Sequence, residues 1–198
     1  MATDRTRLVE TLREEEFQTV AQLAAALKID KATVAGHLQQ LEQDGLPLQR
    51  DGDSGFRLLE EITPIDAGGL VDELEKVAFP YARQVEILDT VDSTSDWLSR
   101  QQSGGADIHG KACITEFQSA GRGRRGRNWQ GSPYCHLMFS MGWRFQKEAV
   151  EMTGLSLSVG VAVADSLRSL SGAPVGLKWP NDLWCYDHKL GGILVDLS

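Results

Sequence analysis

The chain has 198 residues, a formal net charge of −8 and a hydrophobic content of 41%. This length allows one or two domains, and the apolar fraction is large enough to bury a core, which argues against a disordered chain. The N-terminus shows no basic start followed by an apolar stretch, and no apolar run approaches the roughly 18 residues of a membrane span, so we predict a cytoplasmic protein without a membrane partner.

The first sixty residues predict three helices joined by short turns. Apolar residues recur at helical spacing in each of them: Leu8, Val9 and Leu12; Val20, Leu23, Ala24 and Leu27; Val34, Leu38 and Leu41. Thr19 and Gln22 form a capping-box pattern at the start of the second helix. Asp30 can cap the third, and Gly45 suits its C-terminal end.

A hairpin with a glycine-containing tip, residues 51–55, is predicted after these helices, with strands in 46–50 and 56–59. Three helices and a hairpin resemble a winged helix-turn-helix, in which the third helix lies in the major groove of DNA. The side chains that would then face operator DNA are Lys31, Thr33, His37 and Gln40 on the third helix, and Arg50 and Arg57 beside the wing.

The charge of this region leaves a second interpretation open. Residues 1–60 contain seven Lys and Arg against eleven Asp and Glu, a net charge of −4. Because phosphate contacts dominate the affinity of proteins for DNA, an acidic reader must concentrate its few cations and bind as a dimer. The alternative is a regulatory or packing module without affinity for an operator.

The remaining chain predicts an α+β fold with an α/β catalytic layer. We place a winged helix-turn-helix domain at 1–62, a linker at 63–84 with a short helical piece at 71–75, and a catalytic domain at 85–198. The strands are predicted at 85–88, 112–117, 137–141, 175–179 and 193–197, and the helices near 95–102 and 152–170.

Four arginines stand within the seven residues from Gly121 to Arg127, in a chain of negative net charge. The glycines let backbone amides approach a ligand closely, and guanidinium groups match phosphate oxygens bidentately. The loop therefore indicates phosphate binding. A solvated basic loop or a nucleic-acid-binding arm is the alternative that the loop by itself leaves open.

Several further motifs agree with that loop. It continues into Asn128-Trp129 and is followed by Lys178-Trp-Pro-Asn-Asp-Leu183 and Lys189-Leu-Gly-Gly-Ile-Leu194, while Asp92-Ser-Thr94 and Gln118 precede it. In residue type, order and spacing, these segments resemble the biotin protein ligases from about Val85 to the last residue, including the bifunctional members that repress biotin synthesis genes.

The resemblance implies a reaction in two steps. The carboxylate of biotin attacks the α-phosphate of ATP in the presence of Mg²⁺, giving biotinyl-5'-adenylate and pyrophosphate. A lysine of the biotin carboxyl carrier protein of acetyl-CoA carboxylase then takes the biotinyl group. In the bifunctional type, the adenylate also promotes a homodimer that binds the operator.

The resemblance also assigns roles to residues. It places biotin against Ser93, Thr94, Gln118, Gly121, Arg122, Arg124, Lys189 and Gly192. It places ATP and the adenylate against Arg122, Arg124, Arg127, Trp129, Asn181 and Lys189, with the arginine loop closing as a flap. Lys189, Arg124 and Asp182 are the expected catalytic residues, and Asp182 is also a candidate Mg²⁺ ligand.

Each role has a structural alternative. Ser93 and Thr94 can be a helix cap, Trp129 a core residue, Asn181-Asp182 a routine turn and Lys189 a surface lysine in a turn.

The three cysteines are scattered along the sequence, which suits reduced thiols. Cys185 and His188 could bind zinc only with a second pair of ligands, and the sequence offers none at the required spacing, so we favour strand cysteines over a zinc site.

Two departures from the family pattern stand out. Ser95 occupies a position where many members have asparagine. The sequence stops at Ser198, so we expect the later strands and the small C-terminal β-barrel of the family to be missing and a sheet edge to be left unpaired. The missing region leaves the alternative of a catalytically impaired, biotin-responsive DNA-binding regulator. A second alternative is a relative of the lipoate or octanoate transferases; the arginine loop and the Lys-Trp-Pro-Asn-Asp segment argue against it.

Overall fold

The computed structural model describes residues 3–52, 54–146, 152 and 154–197. The chain forms two compact units: Met1–Gly121 with Asn128–Trp143, and Arg122–Arg127 with Arg144–Ser198. Asp53 of the predicted hairpin tip, Thr153 of the predicted long helix and the last residue, Ser198, lie outside the described residues.

The three predicted N-terminal helices are confirmed as α1 (Asp4–Thr11), α2 (Val20–Leu27) and α3 (Lys31–Gln43). The capping box at Thr19 is present, and the side chain of Asp30 accepts a hydrogen bond from the Thr33 amide at 2.9 Å. Gly45 follows the last turn of α3 with a φ of +89°, a left-handed conformation that glycine adopts without a steric penalty.

The hairpin is confirmed as β1 (Leu48–Asp51) and β2 (Gly55–Leu58), which pair antiparallel with Leu48 opposite Leu58. A Cβ on Gly55 would lie 2.2 Å from the carbonyl oxygen of Gln18, so no other residue fits there without moving the backbone. Phe56 forms a backbone bridge with Gln18, which fixes the hairpin to the segment before α2.

The helices and hairpin enclose one cluster of buried side chains. Its members are Leu8, Val9, Leu12, Leu23, Ala24, Leu27, Val34, Leu38, Leu41, Leu46, Leu58 and Tyr134. All of the apolar positions that we assigned to α1 and α3 belong to it, which confirms the helical spacing read from the sequence.

The predicted linker is helical over α4 (Ala67–Lys76), and a three-stranded sheet follows. Along the chain come β3 (Val85–Val91), α5 (Thr94–Ser103), β4 (Ala112–Gln118), β5 (Gly121–Arg122), β6 (Asn128–Trp129) and β7 (Met138–Met141). The sheet order is β3-β4-β7, with β3 parallel to β4 and β4 antiparallel to β7. The carboxyl ends of β3 and β4 therefore lie side by side, the position at which α/β sheets commonly bind ligands.

The second unit contains α6 (Leu155–Ser171) and an antiparallel sheet of β8 (Val175–Lys178), β9 (Asp182–Cys185) and β10 (His188–Gly192), in the order β10-β9-β8. Its buried cluster is small: Ala164, Val175 and Leu183. Within the described ranges, no helix is long and apolar enough to cross a membrane.

The predicted strand at 193–197 is wrong. The last strand is β10, five residues earlier, and β9 was not predicted. The amide of Ile193 donates to the Asn181 backbone carbonyl at 2.9 Å, and the Asn181 side chain donates to the Ile193 carbonyl at 2.8 Å. The Ile193 carbonyl thus accepts from a side chain and not from the backbone amide of the opposite strand, and the regular ladder ends at Gly192.

Candidate ligand-binding site

A network of neutral polar side chains lies at the carboxyl ends of β3 and β4. Ser93 and Thr94 follow β3 after one residue, Asp92, and are buried. The Thr94 amide and hydroxyl both donate to Oε1 of Gln118, at 2.8 and 3.1 Å, and the hydroxyl lies 2.8 Å from that of Ser140. The structure thus brings together three of the residues that the resemblance assigned to biotin.

Ser93 also caps a helix, as the alternative interpretation expected. Its hydroxyl accepts a hydrogen bond from the Asp96 amide at 3.4 Å at the start of α5. Asp92 precedes it and forms two hydrogen bonds of 2.8 Å with Arg100. These bonds, and that from the Ser93 amide, hold the pKa of Asp92 at about 2.

Ser140 was missed by the sequence analysis. It stands on β7 in the otherwise apolar run Leu-Met-Phe-Ser-Met, opposite Cys113 of β4. A single hydroxyl inside such a strand was the only available signal, and nothing local showed that Thr94, 46 residues earlier, would meet it.

A pocket of about 680 Å³ lies beside this network. It is lined by Gln43, Asp44, Phe117, Gln118, Ser119, Ala120, Gly121, Asn128, Trp129, Gln130, Gly131, Ser132 and His136. A Cβ on Gly121 would lie 2.6 Å from the Trp129 carbonyl oxygen, so the close approach of these two segments requires glycine. Trp129 is half-buried and lines the pocket.

The arginine loop belongs to the second unit. The Gly123 amide donates to the Arg127 carbonyl at 2.7 Å, and Arg125 and Gly126 both have positive φ values, 58° and 70°. Arg122 forms an ion pair of 2.7 Å with Asp196, a residue that the sequence analysis missed because it lies 74 positions away. Arg124 donates to the side-chain oxygen of Asn181 at 3.0 Å.

Lys189 and Asp182 form an ion pair of 2.8 Å between β10 and β9. Lys189 lies on a strand, next to an irregularity in the pairing between Lys189 and Gly191, and not in the turn that was its alternative. Gly192 pairs with Asp182. The side chains of the ion pair are 41% and 26% exposed, so both are accessible from solvent.

Three of the predicted site cations in the second unit therefore lie on oxygen acceptors: Arg122 on Asp196, Arg124 on Asn181 and Lys189 on Asp182. Carboxylate and phosphate oxygens are chemically equivalent partners for these groups. The same arrangement can thus hold an anionic ligand by exchange of acceptors. Arg127 is exposed in the same loop.

For a metal ion, the described residues contain no group of three or more His, Cys, Asp or Glu side chains that could hold one. Cys185 and His188 pair across β9 and β10. Asp182 offers one carboxylate, which suits Mg²⁺ when phosphates and water supply the other ligands.

The candidate DNA-binding side chains differ in their exposure and in the contacts that they make within the protein. Lys31 is exposed at the start of α3, whereas the Thr33 hydroxyl donates to Asp30 at 2.5 Å and Gln40 donates to Asp44 at 2.9 Å. His37 is half-buried. Of the wing arginines, Arg50 lies over the Phe56 ring and Arg57 over the Phe17 ring, with Arg57 also donating to Gln49 at 2.8 Å.

Comparison with known proteins decides the family. Residues 88–197 match the biotin/lipoate A/B protein ligase family. The chain belongs to this family. Residues 3–46 of this ligase-family chain match the arsR family of bacterial regulatory proteins. The resemblance and the fold class predicted from the sequence are thereby confirmed.

The chain is also similar to individual proteins over part of their length. The chain is 36% identical to the bifunctional ligase/repressor BirA of Salmonella typhimurium over 96% of its own length and 57% of the relative's. It is 38% identical to the biotin--[acetyl-CoA-carboxylase] ligase of Mycobacterium tuberculosis over 68% of the chain and 52% of the relative. A solved biotin protein ligase of Aquifex aeolicus, in complex with biotin and ATP, shares 32% identity with a TM-score of 0.49, covering 58% of this chain and 47% of that one. The chain spans little more than half the length of the curated relatives it matches.

Proposed function

We propose that the chain activates biotin with ATP to form biotinyl-5'-adenylate and transfers the biotinyl group to a lysine of a biotin carboxyl carrier protein of acetyl-CoA carboxylase. The observation that carries the proposal is the set of cations on exchangeable oxygen acceptors, Arg122, Arg124 and Lys189, in a chain of the ligase family. The named relatives are ligases for biotin, which supports biotin over lipoate as the acid.

Biotin recognition falls to the first unit. The ureido group of biotin has N–H donors and a carbonyl acceptor, and Ser93, Thr94 and Gln118 supply neutral groups of both kinds from fixed positions. Gly121 lines the pocket, where the absence of a side chain lets the Trp129 segment pack closely against it. Gly192, on the strand that carries Lys189, would let the backbone approach the ligand closely.

Activation requires a carboxylate oxygen of biotin to attack the α-phosphorus of ATP while pyrophosphate leaves. The two reactants are both anionic, and their repulsion opposes the approach. The ammonium of Lys189 and the guanidinium of Arg124 would offset that repulsion and stabilise the charge that develops in the transition state. Arg122, Arg127, Trp129 and Asn181 would hold the phosphates and the adenine and exclude water from the adenylate.

In the transfer step, the carrier lysine amine attacks the acyl carbon and AMP leaves. The amine must lose a proton, and Asp182 is the carboxylate of the site that can accept it once its ion pair with Lys189 opens. The same carboxylate would contribute one ligand to Mg²⁺, which would neutralise phosphate charge when bound. A cytoplasmic location stays a prediction and fits the availability of ATP.

The test is formation of labelled adenylate from α-labelled ATP, biotin and Mg²⁺, with lipoate in a parallel reaction. We expect biotin-dependent product, and a loss of about 10²–10³-fold in Lys189→Ala, the usual cost of removing a group that stabilises charge in the transition state. Lys76→Ala is a matched control, because Lys76 also forms an exposed ion pair with an acidic residue, Glu73.

Three results would contradict the proposal. Equal rates in Lys189→Ala and in the unsubstituted chain would remove Lys189 from the chemistry. Absence of adenylate from a chain that is folded by circular dichroism would favour a biotin-responsive regulator without turnover, and product with lipoate in place of biotin would favour a lipoate or octanoate transferase.

A second function is supported by the first three helices, which match a bacterial regulatory family, and by the hairpin that follows them. We propose that α3 binds operator DNA and that the adenylate promotes the dimer that does so. Lys31→Ala should weaken binding to all sequences and reduce its salt dependence by about one phosphate contact. Fluorescence anisotropy at several salt concentrations, with and without biotin and ATP, would measure both effects; a chain with no salt-dependent binding in any of them is a packing module.

A further inference from the structure

An exposed ion pair stands directly behind the neutral network. Both carboxylate oxygens of Asp92 accept hydrogen bonds of 2.8 Å from the guanidinium of Arg100, and Oδ1 also accepts from the Ser93 amide at 2.8 Å. Asp92 lies between the end of β3 and the start of α5, and Arg100 lies two turns into that helix. A two-pronged contact of this kind fixes orientation as well as distance.

The backbone of Asp92 is tied to a different segment. Its carbonyl accepts a hydrogen bond from the Ala120 amide at 2.8 Å, and the Val91 carbonyl accepts from Ser119 at 2.9 Å. Ala120 immediately precedes Gly121, which lines the pocket and begins the arginine-rich sequence. Asp92 therefore connects the Ser93-Thr94 segment on one side to the Ser119–Gly121 segment on the other.

The pair is exposed to solvent. The side chains of Arg100 and Asp92 are 54% and 45% exposed, so solvent screens the attraction between them. Its neighbours are the segments that carry the proposed biotin contacts, and Ser93 and Thr94, which follow Asp92 in the chain, are buried.

We infer that Arg100 is a positioning residue for biotin: by holding Asp92 it presets Ser93 and Thr94 against Gln118, and Ala120 and Gly121 at the pocket wall. This inference deepens the proposed function and rests on it. Because the segments are already in place, binding does not have to order them, which increases affinity for biotin and leaves the chemical step unchanged.

The test compares Arg100→Gln, Arg100→Lys and the double variant Asp92→Asn/Arg100→Gln. Arg100→Gln should raise the Kd of biotin, measured by calorimetry without ATP, and its KM by about 10–100-fold, the scale expected when a contact group is displaced by a fraction of an ångström to an ångström. The KM for ATP and the melting temperature should change little. Arg100→Lys should recover part of the affinity, because it keeps the charge and loses the planar fork.

Arg168→Gln is the matched control, since Arg168 forms an exposed ion pair with Asp165 on α6 and contacts none of the network. The double variant should bind biotin no worse than Arg100→Gln, because the effects of two residues that act through one contact are not additive. Unchanged biotin affinity in Arg100→Gln would overturn the inference, as would a rise in the KM of both substrates that follows a lower melting temperature. If the unsubstituted chain binds no biotin, the proposed function fails instead.

Discussion

The two compact units differ in both packing and chemistry. The first has a cluster of twelve buried side chains, eleven of them before residue 60, while the cluster in the described part of the second has three. The candidate ligand residues follow the same division. Thr94 is buried and held by neutral hydrogen bonds to Gln118, whereas Lys189 is accessible and paired with the Asp182 carboxylate.

This contrast separates recognition from activation. Neutral donors and acceptors select a ligand only if their geometry is set in advance, which requires a rigid surround. Charged groups that must exchange partners, from a protein carboxylate to a ligand phosphate, need access to solvent and freedom to move. A well-packed first unit and a more open second unit meet these two requirements.

The largest expected effect tests the difference in packing. Leu38→Ala, at a fully buried position of α3, should lower the free energy of unfolding by about 2–5 kcal/mol, since it removes buried methyl groups and leaves a cavity. Leu183→Ala in the second unit should cost less, because Leu183 belongs to a smaller cluster whose neighbours can close around the gap. Urea denaturation followed by circular dichroism measures both.

Leu170→Ala serves as the control for these two variants. Leu170 lies on α6 and is 84% exposed. Its truncation should therefore leave the free energy of unfolding within about 0.5 kcal/mol of that of the unsubstituted chain. A greater loss in Leu183→Ala than in Leu38→Ala would show that the contrast in packing does not govern stability.

A smaller effect is expected at Glu116, a buried carboxyl of β4. Burial raises its pKa above the ordinary value of 4.5, against the lowering effect of the hydrogen bond from the Ile65 amide, and the nearby Asp89 raises it further. A raised pKa means that the folded state favours the protonated form. The stabilisation that the protonated Glu116 carboxyl gives the folded state is therefore complete below pH 4.5 and is lost as pH rises through the folded pKa.

Glu116→Gln should consequently be more stable than the unsubstituted chain at pH 7, because the amide oxygen still accepts from Ile65 and no charge is buried. The advantage should shrink as pH falls towards 4.5. Thermal melts of both chains between pH 4 and 8 give the difference. A constant difference across that range would mean that Glu116 does not change protonation on unfolding.

The sequence predicted best what is decided locally. Thr19 with Gln22, Asp30 and Gly45 mark helix ends through contacts within a few residues, and all of them are observed. The segment 193–197 was wrongly predicted to be a strand because it has the apolar composition of one. The Ile193 carbonyl accepts a hydrogen bond from the side chain of Asn181, twelve residues away, and not from the backbone of a neighbouring strand.

The site shows the same limit at longer range. Motifs identified the cations and the neutral residues, but they did not give the partners: Asp196 for Arg122, Asn181 for Arg124 and Ser140 for Thr94. The sequence also does not show that Arg5 of α1 is buried, pairs with Asp44 at 2.8 Å and donates to Thr90 of β3 at 3.2 Å. The proposed boundary near residue 62 stays a prediction, and these contacts tie both sides of it within the first unit.

The smallest effect is a difference in thiol reactivity. Cys113 is buried in β4, and burial raises its pKa to about 11, with Glu86 adding to the rise. At pH 8 only about one thiol in a thousand would be ionised at such a pKa, and the thiolate is the species that reacts. Cys185 of the second unit is half-exposed. In single-cysteine variants, a disulfide reagent should therefore modify Cys185 quickly and Cys113 only through opening of the first unit. Urea should accelerate Cys113 in step with global unfolding; if Cys113 reacts at the rate of Cys185 in native buffer, the first unit opens as readily as the second and the contrast between them is lost.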